Sequence, residues 1–225
     1  MKEDFFKFPS TPHLAALADV DFRCDKLLSD AERDEFLQRS LLVEEKIDGA
    51  NLGISFDSGG TIRAQNRGAY LFLPGAGQWK KLDDWLAPRI DTLFEHLSDQ
   101  FILFGEWCYA RHSVFYDHLP DWFLGFDIFD KRSGRFLSSQ RRDALMRKMG
   151  IAMVPAIARG TFTLPQLQEL LSASKFGSEP AEGIYLRHDD VDWLAQRAKL
   201  VRASFVQAQE EHWSRSAIKP NRLKR

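Results

Sequence analysis

The chain has 225 residues, 44% of them hydrophobic, with 18 Phe and 6 Trp, enough to bury the core of one sizeable domain. A formal net charge of −1 neither announces nor excludes a nucleic-acid partner, and two cysteines, Cys24 and Cys108, are too few for a disulfide framework. No run of 18 apolar residues offers a membrane span, and MKEDFFKFPS at the start lacks the apolar run of a signal peptide, so a cytoplasmic protein is expected.

In chain order, SDAERDEFLQRS (29–40) predicts a helix with a Ser cap. LLVEEKI predicts a strand, and NLGISFDSGGTIRAQNRG a hairpin turning at Asp57-Ser-Gly-Gly. A helix is predicted over 79–97, kinked or divided at Pro88. QFILFGEWCYA reads as a buried strand, and WFLGFDIFDKRSGRFL as a hairpin turning at KRSG. SSQRRDALMRKMG is a helix closed by Gly150, and LPQLQELLSAS another. EGIYLRH and RAKLVRAS are late strands, and FVQAQEEHW a last helix. Hairpins outnumber regular strand–helix–strand units, and no repeat or linker divides the chain. The expectation is a single α+β domain over 1–225, of largely antiparallel sheets with flanking helices.

The chemistry starts at EEKIDGAN, where Lys46 ends a strand two residues before an Asp-Gly turn. A β-hairpin with solvated charges would account for it, and so would a lysine nucleophile at the floor of a nucleotide pocket. Four strand-end groups follow in order: Glu106 in LFGEW, Phe126 and Asp127 in LGFDIFD, Glu182 in EGIYLR, and Lys199 in RAKLVR. Turn dipeptides and half-buried strands explain each one singly, but not the ordered set.

That set resembles the covalent nucleotidyltransferase superfamily, and within it the ATP-dependent RNA ligases, from about residue 40 to 202. EKIDGAN is similar to motif I, FGEW to motif III, FDIF to motif IIIa, EGIYLR to motif IV and RAKLVR to motif V. The resemblance implies a nucleotidyltransferase, ATP-grasp-like fold. It implies that Lys46 takes AMP covalently, Glu106 contacts the ribose, Phe126 stacks on the adenine and Lys199 binds the α-phosphate. Glu182 would serve the Mg- or Mn-assisted steps, with Asp48 beside it. QNRGAY falls at motif Ia and points to Arg67 as a ribose or phosphate contact; Glu45 and Gly49 flank the nucleophile in the nucleotide site. The substrates implied are ATP and RNA ends carrying a 5′-phosphate and a 3′-OH, including ends in a nicked duplex. A monomer is expected, with room for a partner protein that heals ends or positions RNA.

Physical chemistry supports these roles. A free lysine has a pKa near ~10.4 and needs desolvation or neighbouring cations before it can attack. Arg197, Lys199 and a divalent ion are expected to supply that positive field and to stabilise charge on the α-phosphate. Magnesium takes one or two carboxylates plus phosphate oxygens, which suits Glu182 and Asp48. The family pattern departs at Arg197, where Lys-x-Lys is common; arginine keeps its charge and grips as a fork. About 23 residues follow RAKLVR, too few for an OB domain, so none is expected.

That shortage weighs against a DNA-nick ligase or a GTP-using capping enzyme. The intact Lys46, Glu106, Glu182 and Lys199 weigh against a non-catalytic RNA- or nucleotide-binding module. RSAIKPNRLKR (215–225) holds five basic residues and no acid, and reads either as a solvated end or as a phosphate-gripping tail. Cys108, His112 and His118 do not have the spacing of a zinc site. Trp79, Trp85 and Trp122 are expected as core or helix-face anchors rather than base platforms, and the loop 111–122 at the pocket mouth.

Overall fold

The structure, a computed structural model, describes residues 5–17, 27–208 and 218–224. Helix α1 (Asp30–Leu37) opens with a reciprocal cap: Ser29 Oγ accepts from the Glu32 N–H, and the Glu32 carboxylate accepts from the Ser29 N–H. Strand β1 (Leu41–Lys46) leads to the hairpin β2 (Ala50–Phe56) and β3 (Ile62–Gln65), whose turn closes on the Asp57 carboxylate. The helix expected over 79–97 is two, α2 (Leu82–Leu86) and α3 (Ile90–Leu97), divided by a 3-10 turn that contains Pro88.

β4 (Phe101–Trp107) stops three residues short of the expected 110 and pairs with β5 (Phe123–Asp130), which turns into β6 (Arg135–Phe136). Next come α4 (Ser139–Lys148), β7 (Ala156–Gly160) and α5 (Leu164–Glu169). β7 was not expected. Its AIARG sequence is half exposed and lacks an apolar alternation, and only pairing with β1 makes it a strand. β8 (Gly183–Asp190) and β9 (Trp193–Val201) form the last hairpin, and α6 (Ala203–Ala208) follows. The C-terminal part of the helix expected over 205–213 lies outside the described residues.

Two antiparallel sheets result, ordered β7-β1-β8-β9 and β3-β2-β4-β5-β6, and neither closes into a barrel. The two-residue side-chain period decides which residues share a face. In the first sheet Leu41, Val43, Ile184, Leu186, Ala198 and Leu200 point one way and pack with Phe36 of α1 and Leu167 of α5. The alternate residues come into register as Lys46–Gly183–Val201, Glu44–Tyr185–Lys199 and Leu42–Arg187–Arg197. In the second sheet Leu52, Ile54, Leu103 and Ile128 pack under α2, α3 and Met146 of α4. The opposite face carries Glu106, Phe104, Asp127 and Phe129. The apolar halves of both strand patterns are thus spent on helices, and the charged halves meet between the sheets. Among the described residues no helix is long and apolar enough to cross a membrane.

Candidate active site

A cleft of about 540 Å³ opens where the sheets diverge, lined by Lys46, Asp48, Gly49, Arg67, Glu106 and Glu182 among others. β1 delivers Lys46 at its last residue. Gly49 then passes so close to β4 that a Cβ would lie 2.9 Å from the Trp107 carbonyl oxygen. Gly183 is tighter still, its Cβ position only 2.3 Å from the Leu200 carbonyl oxygen, so the chain beside Glu182 can close onto β9. Both positions need glycine for space rather than for φ.

Lys46 Nζ donates to Glu182 Oε2 at 2.6 Å. Burial alone would lower the pKa of Lys46, but the carboxylates of Glu182, Glu106 and Asp48 outweigh it and hold the group above its ordinary value. Lys46 therefore rests as an ammonium. Glu106 is half-buried in the cleft wall; burial, helped by Glu182 and Asp48 and resisted by Lys46 and Arg67, pushes its carboxyl up to about 8. At neutral pH it is mostly protonated, and its Oε2 is buried without a hydrogen-bond partner. Such a carboxyl has a donor and an acceptor for a hydroxyl-bearing ligand. Glu182 is also raised, by burial above all, with Lys46 opposing.

Asp48 is held from outside. Its Oδ2 accepts from the N–H groups of Ser113 (2.6 Å) and Val114 (2.9 Å), while its own N–H donates to Tyr116 Oη at 2.7 Å. The loop 111–116 thus fixes the turn after Lys46. This loop is clamped in turn by residues 218–224, where five main-chain hydrogen bonds join the segment to 109–119. Asn221, 2% exposed, accepts from the Tyr116 N–H at 3.0 Å and donates to the carbonyls of Cys108 (2.8 Å) and Ala110 (3.3 Å). This part of the basic tail is a docked strap, not a solvated end. Lys219, Arg222 and Lys224 remain exposed on it.

Four of the residues singled out by sequence lie outside the cleft lining. Glu45 follows the strand period to the other face from Lys46, and its carboxylate accepts from Ser174 Oγ and the Lys175 N–H. Phe126 sits in a bulge of β5: Phe104 pairs with Asp127 and Gly105 with Gly125, leaving Phe126 between them. Arg197 donates to Asp127 Oδ2 at 3.0 Å, so the cation expected beside Lys46 is committed elsewhere. Lys199 stands opposite Tyr185 in the register of Glu44, and its charge reaches Glu182.

The loop expected at the pocket mouth contributes His112 and Ser113 to the cleft, whereas Gln78 and Trp79 line it without having been singled out for it. His112 Nε2 pairs with Gln78 Oε1 at 3.0 Å, and burial lowers its pKa against the pull of Asp48. Deeper lies a buried ionic network. Glu44 receives two hydrogen bonds from Arg142 (2.6 and 3.2 Å), and Asp127 receives Arg187 as well as Arg197. Both Arg142 and Arg187 also donate to the Phe126 carbonyl, at 2.7 and 3.3 Å. Acid and base types were visible in the sequence, but their pairing across 98 and 60 positions was not.

The donor set fits a hard divalent cation. The acidic groups at the cleft are all carboxylates, yet among the described residues no three His, Cys, Asp or Glu side chains converge to hold a metal by themselves. An ion there would take Glu182 and Asp48 at most, and fill its other positions with phosphate oxygens and water.

Solved structures with this fold include Naegleria gruberi RNA ligase as a mutant with AMP and Mn, with 14% identity over 92% of this chain and 65% of that chain at a TM-score of 0.63. A second mutant with ATP and Mn gives 14% over 91% and 64% at 0.63, and the enzyme with PPi 16% over 92% and 65% at 0.59. The chain therefore spans just under two thirds of the length of these structures. No curated protein matches it significantly. The family model described as RNA ligase matches residues 39–201, which begins just before β1 and ends with β9, and the chain belongs to that family.

Proposed function

We propose that the protein is an ATP-dependent RNA ligase that joins 5′-phosphate and 3′-OH ends through a lysyl-AMP intermediate. The observation that carries this reading is Lys46 at the end of β1, 2.6 Å from Glu182, in one cleft with Glu106 and Arg67. Cofactor-bearing neighbours of the same fold support it, since their structures hold ATP or AMP with Mn.

In the first step Lys46 Nζ bonds to the α-phosphorus of ATP and the α–β phosphoanhydride breaks, releasing pyrophosphate. The proton leaving Nζ has Glu182 Oε2 as its nearest acceptor. Glu106 takes a ribose hydroxyl, Arg67 the ribose or a phosphate, and Lys199 the α-phosphate. In the second step an RNA 5′-phosphate oxygen displaces Lys46 from the AMP phosphorus, giving an RNA-adenylate. In the third a 3′-OH attacks the 5′-phosphate, and AMP leaves as the phosphodiester forms. A divalent ion bound at Glu182 and Asp48 would neutralise phosphate charge during these transfers.

Incubation with α-labelled ATP or GTP tests the class. A ligase labels Lys46 with ATP, a capping enzyme labels with GTP, and a binding module labels with neither. Joining assays on nicked and single-stranded RNA, with DNA in parallel, then separate RNA sealing from DNA-nick sealing. The RNA surface on this reading includes the exposed cations of the 218–224 strap beside the cleft rim.

A further inference from the structure

The N-terminal segment lies outside the family match, which begins at residue 39, yet it runs between the two sheets beside the cleft. Gln65 Nε2 on β3 donates to the Phe6 carbonyl at 2.8 Å. Farther along, the Lys199 N–H donates to the Pro12 carbonyl at 2.9 Å, and the Leu14 N–H to the Lys199 carbonyl at 2.8 Å. Thr11 Oγ1 lies 3.3 Å from Tyr185 Oη. One stretch of nine residues thus joins the second sheet to the edge of the first, and holds the main chain of Lys199 on both sides.

Phe8 is the centre of that stretch. Its buried ring meets Phe126 edge-on with centroids 5.3 Å apart, Phe104 at 5.0 Å and Phe136 at 5.5 Å. The Arg197 guanidinium lies over both Phe8 (4.7 Å) and Phe136 (4.5 Å) while its Nη1 holds Asp127. A planar guanidinium can stack on rings and still donate in its plane, which an ammonium cannot do. This gives Arg197 a physical reason to stand where lysine is common. Phe126 is therefore fixed twice: its carbonyl by Arg142 and Arg187, and its half-exposed ring by Phe8.

We propose that Phe8 is a positioning residue for the nucleotide base, setting the ring of Phe126 so that the N-terminal segment is a working wall of the base subsite. The proposal rests on the lysyl-AMP reading above together with the adenine-stacking role that the family resemblance implies for Phe126, whose ring lies beyond the residues lining the cleft. Its physical content is preorganisation: a ring already held in its stacking orientation need not be ordered when the base arrives.

The test measures lysyl-AMP formation against ATP concentration for wild type, Phe8→Ala, Phe8→Leu, Phe126→Ala and the Phe8→Ala/Phe126→Ala double variant, with Tm recorded for each. The expected result is a KM for ATP raised roughly five- to tenfold by Phe8→Ala, the low end of what a base–aromatic stack contributes, with the rate at saturating ATP little changed. Phe8→Leu, which keeps the bulk and loses the ring edge, should raise KM less and retain wild-type Tm. The double variant should have the KM of Phe126→Ala alone, because the two residues act through one contact. Unchanged KM in Phe8→Leu and Phe8→Ala would overturn the proposal, as would multiplicative effects in the double variant. A lower Tm and saturated rate at constant KM would also overturn it, by showing a packing role only. A wild-type protein that forms no adduct with ATP would instead refute the lysyl-AMP reading.

Discussion

Asn221→Ala is the most informative single change outside the cleft. Asn221 closes three hydrogen bonds in a site with 2% exposure, and alanine cannot replace any of them. The Tyr116 N–H and the Cys108 carbonyl would be left buried without these partners, and each such group costs about 1–3 kcal/mol. The Ala110 bond is longer and adds less. About 3 kcal/mol is a fair total, which for a domain of this size lowers Tm by about 6–12 °C. The effect should not stop at stability, because Tyr116 Oη, Ser113 N and Val114 N hold the Asp48 turn two residues from Lys46. Lysyl-AMP formation well below the new Tm should therefore fall along with strand joining.

Deleting 218–224 should do the same more severely, because the five main-chain hydrogen bonds to 109–119 go with it. Replacing the exposed Lys219, Arg222 and Lys224 by alanine is the control: stability should move within about 0.5 kcal/mol per residue, adenylylation should persist, and joining should weaken as salt rises. Thermal melts and adduct assays on the two sets decide the matter. Wild-type Tm and adduct yield for Asn221→Ala would refute the clamp.

Three further outcomes follow from the site. Lys46→Ala and Lys46→Arg should form no covalent AMP, read by labelled ATP, while Lys46→Ala can still seal a pre-adenylylated strand. Glu106→Gln should alter the pH dependence of stability in chelator: the folded pKa of about 8 lies above the unfolded value of about 4.5, so wild type loses stability as pH rises between them, by about 1.4 kcal/mol per unit. The glutamine variant should therefore gain on wild type from pH 5 to 8 in melts, and parallel curves would count against a neutral Glu106. Arg142→Met strands Glu44 as a buried charge and should cost about 3–5 kcal/mol, measured by denaturant unfolding.

What the sequence made legible was local. Lys46, Glu106 and Glu182 stand at strand ends, where a short word fixes both the element and the exit of the side chain, and all three reach one cleft with Asp48 and Arg67. The strand period alone separates Glu45 from Lys46, since neighbours on a strand face opposite ways. Period and capping also located most helices and hairpins, while β7 depends on its partner and so left no mark of its own. Phe8 and Asn221 were illegible for another reason. Each acts through contacts more than 100 positions away, on Phe126 and on Tyr116. Nothing in FKF or NRLK distinguishes such a residue from a surface one until the sheets bring the two ends of the chain to the cleft.

The electrostatics of Lys46 imply an order of events. Burial works against its charge, but the carboxylates around it, Glu182 first, overcome that, so Lys46 rests protonated. A triphosphate entering alone would bring more negative charge and hold the proton harder. On the proposed lysyl-AMP reading, binding and activation therefore separate: ATP enters the cleft, where Arg67 meets it, while Lys46 becomes nucleophilic only when positive charge accompanies the phosphates. In chelator at pH 7, ATP should still quench the fluorescence of Trp79, which lines the cleft, yet leave no adduct. Restoring Mg or Mn should give adduct at an unchanged degree of quenching. Adduct formation at the full rate in chelator would show that Glu182 and its neighbours do not hold the proton, and loss of quenching would show that nucleotide and ion enter only together.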